Sequence, residues 1–273
     1  MSNVFESHHF PKLDRISLLA ATILLTYYLT GFIDLPTFEL KIPVPGVYLA
    51  IPIDITSLIA IFIMGITSSG VDWLLRGHPA ISGHTTIQHW LLPTLTAWGI
   101  GTSLAQQPIG PIWWVAFGFG SGFLIIIMIA EYISVDPNDI RYAPAAITLR
   151  AVAFVLYLVL LITLRAQAVR LVAIIPTITI AMGLVSLRVL HLRLNGIWAW
   201  VPTLIIMLLM GEIATVLHYL PISPITFSLV LLGLAYALVS LASNIIENKS
   251  HVQLLLEPIA ALTIIIGIAF WLQ

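Results

Sequence analysis

"PIGPIWWVAFGFGSGFLIIIMIAEYI", residues 108–133, carries no charged side chain until Glu131. Its apolar residues run continuously, whereas a membrane barrel strand alternates apolar and polar positions over about ten residues. A run of this kind meets the length of about 20 residues that a helix needs to cross roughly 30 Å of hydrocarbon. In lipid, a single segment satisfies its backbone hydrogen bonds only as a helix. The stretch therefore reads as one transmembrane helix with an acid near its end.

The rest of the chain follows the same pattern. Sixty per cent of the 273 residues are apolar, 8% are charged and the mean hydropathy is +1.06. Soluble domains hold roughly 45–50% apolar residues, so a water-soluble fold is excluded. Runs such as "ISLLAATILLTYYLTGF" (16–32) and "ALTIIIGIAFWL" (261–272) recur between short polar breaks. Nine spans are expected, at 16–33, 53–75, 87–105, 109–133, 145–164, 168–190, 196–220, 222–246 and 251–272. The first run lacks a small-residue cleavage site and reads as a retained helix. The fold class is an all-α integral membrane protein.

The opening words of the quoted stretch return later in the chain. "PIGPI" at 108–112 matches "PISPI" at 221–225, "PAAIT" from Pro144 matches "PIAALT" from Pro258, and "LPTL" at 92–95 matches "VPTL" at 201–204. The offsets are 113, 114 and 109. They imply a tandem duplication of a four-helix unit: residues 1–50 hold a tail, an extra helix and an outer loop, 51–166 the first repeat and 167–273 the second. Four helices are an even number, so both copies keep the same orientation. Pro93, Pro144, Pro202 and Pro258 are read as helix starters, because the first turn needs no amide hydrogen at that position.

Basic residues orient the chain. With the N-terminus cytoplasmic, Lys12, Arg15, Arg76, Arg141, Arg188, Arg193 and Lys249 lie inside, against Lys41, Arg165 and Arg170 outside. The excess inside places the protein in a plasma (inner) membrane with the C-terminus outside.

Intramembrane ionisable groups cost roughly 2.5–3.5 kcal/mol each on insertion scales and mark candidate sites. Asp72, Glu131, Arg188 and Asn244 sit at the inner ends of the first helices of four hairpins. Glu131 and Arg150 have matching depths on adjacent helices and are expected to pair. Glu212 falls near mid-bilayer, where desolvation would favour its protonated form. Glu131, Arg150, Glu212 and Asp72 are therefore the transport or gating candidates.

The loop after span two, "GVDWLLRGHPAISGHTTIQHWLLP" (70–93), adds His78, His84 and His89 as candidate ligand residues on the cytoplasmic side. Asp72 and Pro93 stand 21 positions apart, against 13 or 14 in the other three hairpins, so the loop carries an insertion of about seven residues. The histidine spacings of six and five do not match a zinc helix such as H-E-x-x-H, and neither metal nor cofactor is expected. Cysteine is absent, which removes disulfides and thiol chemistry. The net charge of −1 and the lack of a basic tract give no reason to expect nucleic acid. Polytopic aromatic prenyltransferases have similar hydropathy, but they hold magnesium diphosphate between two acidic motifs. Here one cluster, Glu131, Asp136 and Asp139, follows the wrong span.

Duplication and isolated intramembrane charges favour transport or permeation of a small solute, ion or lipid-like molecule between two four-helix halves. Two alternatives stand beside it. One is a membrane enzyme acting on a lipid or isoprenoid at the cytoplasmic interface through Asp72, His78, His84, His89 and Asp136. The other is a non-catalytic subunit or assembly factor of a membrane complex. The expected partners are the lipid bilayer and further membrane subunits or a second copy.

Overall fold

A computed structural model describes residues 13–30, 38–44, 47–53, 55–81, 86–105, 107–166, 171–194 and 196–272. Among them are nine α-helices: α1 (Leu13–Thr30), α2 (Ile55–Leu75), α3 (Ile87–Ala105), α4 (Pro111–Ile133), α5 (Tyr142–Ala166), α6 (Leu171–Arg193), α7 (Trp200–His218), α8 (Pro224–Ile246) and α9 (His251–Trp271). Each coincides with one expected span to within about four residues. Six of them, α4 to α9, are long and apolar enough to cross a membrane. Between α1 and α2 the chain makes an antiparallel hairpin, β1 (Phe38–Val44) with β2 (Val47–Ile53), in a segment the sequence marks only as an outer loop.

Exposure identifies the solvent of these helices. Only 11% of the most apolar window of α9 is buried inside the protein. Side chains such as Ile259, Ile264 and Phe270 stand exposed along it. Water would not tolerate so large an apolar face, whereas hydrocarbon is indifferent to it.

The chain divides into two compact units, Met1–Ala145 and Ala146–Gln273. In the first, α1, α2, α3 and α4 pack on one another around Ile23, Tyr27, Leu74, Leu124 and Met128. Tyr27 is buried and places its hydroxyl on the Ala97 carbonyl at 2.5 Å, which satisfies a polar group that hydrocarbon cannot. Arg15 closes the C-terminal end of α2: it donates to the Trp73 carbonyl at 3.1 Å and lies over the Trp73 ring, where the helix dipole favours a cation.

In the second unit, α6 packs on α7 and α8 on α9, with α7 against α8. Glycine allows the first of these contacts to be close. A Cβ on Gly211 would come within 2.6 Å of Thr179 Oγ1, and one on Gly183 within 2.7 Å of Met207 Sδ. Gly211→Ala is therefore expected to lower the stability of the detergent-solubilised protein by about 1–3 kcal/mol. Thr179→Ala in the same chain should recover most of that loss, and thermal unfolding of the single and double variants measures it.

Arg165, at the end of α5, has a local structural role. It donates to the carbonyls of His218 and Leu220, both at 3.2 Å, and so caps the carbonyl end of α7. Arg170 lies outside the described residues.

α4 and α8 both contain 23 residues, and both begin on a proline after an extended residue, Gly110 and Ser223. The other matched prolines are less uniform. Pro144 and Pro202 are the third residues of α5 and α7, as helix starters should be. Pro93 and Pro258 instead lie inside α3 and α9, beyond the first turn, and Pro176 lies inside α6. At those positions a proline removes a backbone hydrogen bond. For Pro258 the acceptor left over is the Leu254 carbonyl, which receives the Asn244 side-chain amide at 3.3 Å.

Candidate functional site

Two polar centres emerge, one in each unit. The first is built on the last turn of α4. Glu131 is fully buried, and its Oε2 lies 2.7 Å from Nδ1 of His89, itself 6% exposed near the start of α3. Ser134 donates to the Glu131 carbonyl at 2.9 Å and approaches Glu131 Oε2 at 3.3 Å. The neighbouring Tyr132 receives the edge of the buried His78 ring, with centroids 4.7 Å apart. Asp72 accepts from Arg76 at 2.7 Å and from the buried Thr86, tying the end of α2 to the start of α3. His78, Asp72 and His89 thus fasten the long loop onto its own half. His84 lies outside the described residues.

The chemistry of this centre is limited by which atoms meet. Ser134 Oγ lies 3.4 Å from His89 Nδ1, the same nitrogen that faces Glu131. A hydrolytic triad needs the carboxylate on one imidazole nitrogen and the nucleophile on the other. This cluster therefore ties an acid to an imidazole without activating a serine. The sequence expects Glu131 to pair with Arg150; within the first unit Glu131 engages His89, which α3 presents to the last turn of α4. In the connection after α4, Asp136 accepts from the Asn138 amide, and Asp139 takes Arg141 through both oxygens at 3.1 and 2.7 Å. That hydrogen-bonded pairing raises the Arg141 pKa further above its usual value. No group of three or more metal-ligating side chains occurs among the described residues.

The second centre is a cavity of 360 Å³ lined from four helices of the second unit. Arg150 comes from α5, Arg193 from α6, Tyr236 and Ser240 from α8 and Glu257 from α9, with Phe154, Val189 and Val239 among the apolar walls. Tyr236, Ser240 and Asn244 recur every four residues, which aligns three polar groups on one face of α8.

Arg193 organises that face. Its guanidinium forks onto Glu257, with Nη1 to Oε1 at 3.2 Å and Nη2 to Oε2 at 2.8 Å. The same nitrogens reach Ser240 Oγ at 3.2 Å and the buried Asn244 Oδ1 at 3.0 Å. Tyr236 donates to Glu257 Oε1 at 3.1 Å, and Lys249 to Asn244 Oδ1 at 2.9 Å. Such a planar fork is the geometry that suits arginine to a carboxylate.

Arg150 is arranged differently. Its Nε donates to the Ala146 carbonyl one turn back at 3.1 Å, and it lines the cavity with no carboxylate partner among the described residues. The lining therefore carries two guanidinium groups and one carboxylate, a surplus of one positive charge. Arg150 is a sequence candidate that the structure places at a cavity. Arg193, Tyr236 and Glu257 join it there. Glu212 lies on an exposed face of α7 amid Leu204, Leu208 and Val216, and does not line the cavity.

No curated protein and no solved structure matches the chain. Residues 35–272, from the segment before β1 to the end of α9, match the model of DUF5656, described as a protein of unknown function, and the chain belongs to that family.

Proposed function

We propose that this membrane protein binds a small solute in the cavity of its second half and moves it into or across the bilayer. The observation that carries this reading is a 360 Å³ cavity, of the size that small ligands occupy, lined by helices long and apolar enough to span a membrane. Its polar groups come from four different helices, so relative movement of any one changes the site. Transporters place their solute sites between helices in this manner.

The tandem duplication belongs to the same reading. It is supported by the paired helices α4 and α8, each of 23 residues and each opened by a proline. The family match begins after α1, which suits an added first helix. A cytoplasmic N-terminus in a plasma membrane rests on the distribution of basic residues, with Arg165 occupied as a helix cap. The Glu131–His89 pair serves to hold the adjoining ends of α3 and α4 together.

The test is reconstitution in liposomes with flux or transbilayer movement of candidate solutes followed in time. The protein should accelerate movement of at least one solute class, and Arg150→Gln should slow it about tenfold while leaving thermal stability within about 0.5 kcal/mol, because Arg150 holds only one backbone carbonyl. Unchanged movement in the variant would remove the cavity from the path.

A further inference from the structure

We propose that the cavity takes an anionic head group of phosphate or carboxylate type, bound by Arg150 and assisted by an Arg193 that Glu257 holds in reserve, with the ligand's apolar part against Phe154, Val189 and Val239. This rests on the solute-binding reading and assigns the ligand's chemistry.

The charges argue for an anion. One of the two arginines is already balanced by Glu257, and a cation or a neutral solute would leave the surplus charge of Arg150 uncompensated in a medium where an unpaired charge is costly. The donors argue for a head group with several oxygens. Arginine offers five N–H groups, and Arg150 spends only its Nε hydrogen on Ala146. The hydrogens on its two terminal nitrogens form the fork that phosphate and carboxylate accept. The walls argue for an attached apolar group, since a free hydrated ion gains nothing from Phe154 and two valines. Arg193 is already fixed by Ser240, Asn244 and Glu257, so it is oriented before ligand arrives, and an anion entering the cavity competes with Glu257 for it.

That competition gives the inference a signature a general apolar cavity lacks: two charge-removing substitutions with opposite effects. Glu257→Gln keeps an acceptor for Arg193 and Tyr236 but removes the competing charge.

The protein in nanodiscs of phosphatidylcholine is titrated with short-chain phosphatidic acid, with inorganic phosphate and with an alkyltrimethylammonium of the same chain length, and binding is read by native mass spectrometry and by thermal shift. Short-chain phosphatidic acid is expected to bind, at least tenfold more weakly in Arg150→Gln and several-fold more tightly in Glu257→Gln, with Arg150→Lys intermediate. Inorganic phosphate that likewise binds more weakly in Arg150→Gln and more tightly in Glu257→Gln would assign the head-group chemistry to a free anion source and uphold the anion site. Equal binding of the ammonium amphiphile, or the same response in both Gln variants, would overturn it. Should flux be absent while anion binding follows this pattern, the transport reading fails and the anion site stands. Flux of a neutral or cationic solute, with no anion bound, would overturn the anion site and leave the transport reading in place.

Discussion

Glu131→Ala is expected to destabilise the first half by about 3–5 kcal/mol, the largest effect expected of any single substitution in this protein. Glu131 is fully buried and faces His89 at 2.7 Å, with both groups shielded from water. Removing the acid takes from the imidazole its 2.7 Å carboxylate partner in a medium that solvates neither its charge nor its N–H. Ser134 loses an acceptor as well. Much of the penalty comes from leaving one partner behind, so replacing both should cost far less. His89→Leu with Glu131→Leu is expected to lie within about 1–2 kcal/mol of the parent, since an apolar pair of similar volume often replaces a buried ionic pair at little cost. Thermal or denaturant unfolding in mild detergent measures both. A double variant as unstable as the single one would show that the pair contributes more than mutual satisfaction.

Arg193→Ala is expected to cost the second half about 2–4 kcal/mol and to weaken ligand binding, because the Glu257 charge is then left facing the site. Four hydrogen bonds disappear at once, to Ser240, Asn244 and both oxygens of Glu257. The loss is moderated on both sides, because the fully buried Asn244 keeps Lys249 as a donor and the Glu257 side chain, 40% exposed, recovers part of its solvation. Arg193→Lys separates charge from geometry. An ammonium keeps the charge but reaches only some of these acceptors, so stability should be partly restored and ligand binding should stay weaker than in the parent. Equal binding in the lysine variant would show that charge alone, without the fork, holds the ligand.

The positions of the helices were legible because lipid enforces long uncharged runs, and Glu131 and Arg150 stood out against them as costly. The β1–β2 hairpin was not legible, since "FELKIPVPGVYLAIPI" follows a polar break and periodicity reads it as loop. The partners were harder still. His89 reaches Glu131 across 42 positions, and Arg193 reaches Glu257 across 64, distances over which an apolar sequence carries no pairing signal. A partial signal existed in Tyr236, Ser240 and Asn244, whose spacing of four marks one face of α8 and points to the cavity. Pro258 misled for a local reason: a proline is tolerated inside a helix when another donor serves the orphaned carbonyl, and the Asn244 side-chain amide does so at Leu254. Glu212 shows the opposite limit, because depth alone does not say which way a helix face turns.

The absence of cysteine opens the cavity's charge to measurement, since one introduced thiol is then the only one in the chain. Ala151→Cys places it in the cavity lining beside Arg150. Its modification rates by a negatively and a positively charged methanethiosulfonate of similar size are each divided by the reagent's rate with a free thiol. A water-accessible cavity with surplus positive charge predicts that the anionic reagent is favoured by about tenfold, and that adding Arg150→Gln removes most of that preference. A preference for the cationic reagent, or a thiol that neither reagent reaches, would rule out an open, positively charged solute site in the second half.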